Sequence, residues 1–309
     1  MTDRFKAPRP PEGPVSALMG LFLLLGIFGP LPAHAQAPAG TDIWVFRLSD
    51  GGSAVDVASG IRATSRPGYD NQPTFLPGAR FLLFTAIDDA GQADIHRFDL
   101  REGTVEPLTR TAPESEYSAT LMPSGERISV IRVEADSTQR LWSFDLQGGS
   151  PALVLRDIRP VGYHAWIDED RLALFVLGSP ATLQVASVET GRAEVVARNI
   201  GRSLHRVPAA GTISFVQWDE DLQGAISELD PATGDIKNLA PLLDGNEFYA
   251  WTPAGVLVMG QGSRLFSWVP GSSRSWRELA DLSAAGVTGI SRIAVSPEGD
   301  RVAVVGVGG

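Results

Sequence analysis

Beyond residue 35 the chain holds three histidines, His96, His164 and His205, and it has no cysteine anywhere. Nucleophilic catalysis would pair a serine or threonine with one of these imidazoles. The closest such pair is Ser203 and His205 within 201–205 (GRSLH), on one strand entry and without the elbow that presents a catalytic serine. No GxSxG, HExxH or phosphate-cradling glycine loop occurs. A calcium loop needs oxygen ligands at alternating positions and a closing glutamate. The acidic turns at 88–94 (DDAGQAD) and 219–221 (DED) lack that pattern and read as solvated hairpin turns. Absence of thiols removes disulfides, thiolate nucleophiles, zinc–sulfur sites and lipid-bearing cysteine. These residue types supply no catalytic constellation, no metal site and no cofactor site.

Composition narrows the partners. The 309 residues are 43% hydrophobic and carry 33 Gly and 22 Pro, which favours a turn-rich β protein over a disordered chain. Twenty-six basic residues stand against 36 acidic ones, a formal net charge of −10. An acidic domain repels polyphosphate, so no nucleic-acid partner is expected. At the start, Arg4, Lys6 and Arg9 precede an apolar run at 15–31, and Ala33-His34-Ala35 follows. That order reads as a secretory signal over 1–35, followed by a short linker at 36–40. The run falls short of a spanning helix, and no later stretch is long or apolar enough to cross a membrane after cleavage. The expected location is the periplasm or the exterior.

From residue 41 the chain repeats. An alternating apolar strand runs into a glycine turn at 43–51, 95–103, 141–149, 183–191, 225–234 and 265–271. A second anchor, a turn opening an apolar strand, recurs at Pro77, Pro123, Asp168, Pro208, Pro253 and Pro297. Both anchors recur every 44 residues on average. Each unit holds four β runs, which in the second unit fall at 119–122, 127–133, 141–146 and 151–156. The first unit enters on its third strand (42–48) and the last leaves after its second (301–307), so together they complete one unit. The expected fold is all-β, a six-bladed β-propeller with four antiparallel strands per blade over 41–309. Its last blade closes from the N- and C-terminal strands, leaving few open edges.

The stretches 77–109 and 123–149 (PSGERISVIRVEADSTQRLWSFDLQGG) resemble the Pro-Asp-Gly variant of WD-type repeats of TolB-like six-bladed propellers. The resemblance covers the propeller part alone. It implies a non-catalytic envelope module that docks a protein partner.

Antiparallel order puts tight turns on one face and longer loops on the other, and binding residues gather on irregular loops. The loops at 66–72, 111–117, 156–164, 198–205, 242–248 and 284–290 are expected to bring Asp70, Asn71, Glu116, Tyr117, Tyr163, His164, Arg202, His205, Glu247 and Tyr249 to a channel mouth. Thr74, Thr120, Ala165, Ala250 and Ala294 are expected to face inward below it. Acids, amides and aromatics suit a polypeptide or glycan, here a protein or peptidoglycan-associated envelope partner of a monomer. His164 and His205 beside acids would make binding pH-dependent. The alternative is a small propeller hydrolase or lactonase with a metal in its central channel.

Overall fold

The computed structural model describes residues 40–308. The expected signal at 1–35 and most of the linker lie outside them. No helix among the described residues is long and apolar enough to cross a membrane.

Among the described residues, strand follows strand, and antiparallel pairing collects them into groups of four. The first strands of successive groups are Tyr69–Phe75, Ser115–Leu121, Val161–Trp166, Ile200–Arg206, Tyr249–Trp251 and Arg292–Val295. The sixth group is composite. Its second strand, Arg301–Val307, pairs antiparallel with Thr41–Ser49 from the other end, from Thr41 opposite Val307 to Arg47 opposite Arg301. Thr41–Ser49 then pairs with Ala54–Arg62, which completes the group. A single parallel bridge, Thr41 to Tyr69, links this group to the first.

Second strands are largely apolar and buried over long runs, as in Phe81–Ile87 and Arg301–Val307. Continuous burial means both faces are covered by neighbouring sheets. Fourth strands such as Ala193–Arg198 are largely exposed, which makes them the rim. Six hydrophobic clusters fill the interior, each spanning one seam between neighbouring groups. Leu83 and Ile95 meet Ile128 and Phe144 at one seam, while Ile131 and Leu141 meet Trp166 and Leu172 at the next. First strands lie side by side from Ile200–Arg206 through Tyr249–Trp251 and Arg292–Val295 to Tyr69–Phe75 and Ser115–Leu121.

Polar ties reinforce two seams in the same way. The Trp166 indole donates to Ser129 Oγ (2.9 Å) on the preceding second strand, and His164 Nε2 shares a 2.6 Å hydrogen bond with that oxygen. Two groups later, Trp251 Nε1 (2.8 Å) and the Tyr249 hydroxyl (2.9 Å) donate to Ser214 Oγ. A small hydroxyl thus bonds two side chains from the next sheet, although His164 Nδ1 keeps no partner.

First strands start earlier than alternation alone indicated. The second group's begins at Ser115 rather than 119, because Ser118 takes a left-handed φ of 54° and forms a bulge that carries the strand past an irregular step. Gln72 does the same with φ 59°.

Trp166 is 6% exposed, whereas Trp251 is half-buried. Trp166→Ala is expected to cost about 3–5 kcal/mol in urea unfolding, and Trp251→Ala less. Equal, near-zero losses would contradict the seam assignment.

Candidate functional site at the channel mouth

One position per group, five residues before each turn anchor, is occupied by Gln72, Ser118, Tyr163, Ser203, Phe248 and Arg292. All six line one cavity of about 120 Å3, so the first strands of all the groups converge on a common channel. Thr74, Thr120 and His205 line it as well. Of the other residues expected to face inward, Ala165 and Ala250 are packed into seam clusters and Ala294 lies against one. The wall is therefore less uniformly small and apolar than the sequence implied.

Arg292 dominates the chemistry. Its guanidinium carbon lies 3.8 Å from the Phe248 ring centroid and 5.1 Å from that of Tyr163, and Nη2 donates to the Tyr163 hydroxyl at 2.7 Å. Stacking on two aromatic faces compensates a partly desolvated cation. Arg202 stands beside it, 5.2 Å from the Phe248 ring. The Glu247 carboxylate grips Arg202 twice, accepting from Nε at 2.5 Å and from the backbone N–H at 2.9 Å. Gly201 makes room for that grip, since a Cβ there would lie 2.5 Å from Glu247 Oε2 and 2.8 Å from Val216 Cβ.

Arg202 also walls two grooves on the same face. One, of about 470 Å3, is lined by Tyr69, Tyr117, Tyr163, Phe175 and Leu177. The other, of about 930 Å3, runs past Trp218, Leu222, Leu243, Glu247 and Ile290. Leu177 and Leu222 are 42% and 73% exposed at their edges.

Placement divides the expected site residues. Tyr117, Tyr163, Arg202, His205 and Glu247 meet at the channel and its grooves. Asp70, Asn71, Glu116 and His164 do not lie on loops but are buried on their first strands away from it. Tyr249, also buried, borders the cavity with its ring centroid 4.8 Å from that of His205. Asp70 accepts from Arg66 Nε (2.9 Å) and Nη2 (2.5 Å), and the Asn71 side chain caps the bulge through Gln72 N–H at 2.8 Å. His164 and Tyr249 are the seam ties described above. Arg292, Phe248 and Gln72 were missed, although their fixed distance from each turn anchor was present in the repeat register.

No protein-family model and no curated protein matches the chain. Among solved structures it is similar to TolB from Agrobacterium tumefaciens, with 14% identity and a TM-score of 0.65 over 87% of this chain and 98% of that one. The fold is that of a TolB-like propeller. TolB from Acinetobacter baumannii gives 14% identity and a TM-score of 0.57 over 87% of this chain, which spans 64% of that protein. An oligogalacturonate lyase in complex with manganese gives 12% identity and 0.54, over 82% and 81% of the two chains. At these identities the likeness concerns fold alone.

Electrostatics of the propeller differ from the expected histidine switch. Burial pushes His164 down to about 3 and His205 to about 4, so both stay neutral near pH 7. Glu116 titrates there instead. Its carboxyl is fully buried, with Oε1 accepting from Thr111 (2.5 Å) and Oε2 unpartnered, and desolvation raises it to about 7 despite Arg132 nearby. A raised folded-state value means the native protein binds the proton more tightly than the unfolded chain. The stability this contributes is full below the unfolded value of 4.5 and is lost as pH rises through about 7. Glu116→Gln removes that dependence. Between pH 5 and 8 its stability relative to the parent should rise by about 2–3 kcal/mol in urea melts. A difference that does not change with pH would contradict the buried acid.

Proposed function

We propose that the chain is a non-catalytic interaction module of the cell envelope, a six-bladed ring that docks an extended segment of a partner protein across its loop-rich mouth. In this reading each four-stranded group is one blade, and the segment 1–35 is a cleaved signal that delivers a monomer to the periplasm or the exterior. The observation that carries it is the pair of grooves meeting at Arg202, rimmed by the exposed Leu177 and Leu222. Apolar surface left open around a polar centre is the composition of a protein-binding patch. Such a segment would cross from the tyrosine-lined groove, over the channel, into the leucine-lined one. A protein or peptidoglycan-associated envelope partner fits this geometry.

The metal-dependent hydrolase or lactonase reading has less support. Among the described residues no three His, Asp or Glu side chains gather where they could hold an ion. The charged side chains on the channel wall are Arg202 and Arg292, which oppose a divalent cation.

Photo-crosslinking tests the reading. A photoreactive phenylalanine at Leu177 or Leu222 is expected to capture one partner in cells, whereas the same residue at Ala79 or Ala232 on the tight-turn face captures none. Leu222→Asp should then weaken binding of that purified partner at least tenfold. Capture from the tight-turn positions alone would overturn the proposal.

A further inference from the structure

Arg292 is a cation without an acid. Among the described residues no carboxylate lies within ion-pair distance of it, while its neighbour Arg202 is held by Glu247. A guanidinium offers five N–H donors in a planar fork, and Arg292 gives one to Tyr163. Two further donors of the same cavity are unused. Ser118 Oγ is buried without a partner. The Gln72 carbonyl oxygen already accepts from Thr85 Oγ1 and from Ser118 N–H, both at 2.8 Å, and no acceptor among the described residues takes its Nε2.

From this arrangement we infer that the channel mouth is a carboxylate-binding subsite, in which Arg292 forks the carboxylate and Ser118 and Gln72 donate to its oxygens. The inference rests on docking at the mouth and names the anchor of the docked segment: an aspartate or glutamate side chain, or a free C-terminus. An ionised carboxylate accepts hydrogen bonds and donates none, matching a wall of unused donors. Its single charge also matches the one unpaired cation, whereas a phosphate dianion would leave negative charge uncompensated in a partly desolvated site. A volume of about 120 Å3 holds roughly four waters, room for a head group rather than a folded element. The other titratable groups facing the site are His205, kept neutral by burial, Tyr163, Tyr249 and Arg202, with Tyr69 and Glu247 beside them.

Small probes test this without a captured partner, so its failure is separable from that of mouth docking. The His205 ring lies in the same cavity, and its NMR resonances report on occupancy. N-acetyl-aspartate amide, charged only at its side chain, and N-acetyl-glycine, charged only at its terminus, should each shift these signals and raise the His205 titration. Whichever binds more tightly identifies the source of the carboxylate. The neutral N-acetyl-asparagine amide should bind at least tenfold more weakly. Arg292→Gln should abolish the difference between charged and neutral probes, and Arg292→Lys should restore part of it. Equal binding of charged and neutral probes to the unaltered protein would overturn the subsite, whatever the variants do. So would tighter binding of inorganic phosphate, or preference for galacturonate over both acylated amino acids.

Discussion

Everything in this molecule depends on closing the ring between its two ends. The antiparallel pairing of Thr41–Ser49 with Arg301–Val307 joins strands more than 250 residues apart and supplies the sixth group with its second and third strands. Without it, two neighbouring seams would lose a wall, because Trp44 and Phe46 pack toward the fifth group while Ile43 and Val45 pack toward the first. Alternation along a single strand therefore feeds two cores. Arg292, on the first strand of that composite group, lies against Phe248 and Tyr163 in the channel.

Two kinds of polar residue emerge from this architecture, and they do different work. Those whose partners lie on a neighbouring sheet, such as His164 with Ser129 and Tyr249 with Ser214, fix the register between sheets. Gln72 and Ser118, whose side-chain donors are unused, sit on the channel wall. Left-handed φ values at Gln72 and Ser118 turn these positions into the cavity, a strained conformation held by the surrounding ladder. A scaffold with rigid seams can present such groups at fixed spacing, which lowers the ordering cost of binding.

The repeat was legible because two turn anchors recur with the same mean period and alternating strands lie between them. Closure was legible from the phase at which the first unit enters and the last one leaves. The site was only partly legible. Asp70, Glu116 and His164 looked like loop residues because bulges interrupt alternation near the strand starts, and the burial of these residues and of Tyr249 depends on partners that local sequence does not display. His164 and Tyr249 each bond a serine 35 positions earlier. Arg292 and Phe248 were hidden for the opposite reason: an arginine opening a strand and a phenylalanine just before one resemble nothing catalytic. Register counted from the turn anchors would have placed both on the wall.

The central claim is that recognition occurs on the loop-rich face around the channel. Amide hydrogen exchange of the protein alone and with its purified partner tests it most directly. Protection is expected at 200–206, 242–248 and 288–292, with no change at the tight turns 77–80, 99–103 and 230–235. Protection confined to those turns, with the channel mouth exchanging as in the free protein, would contradict the account.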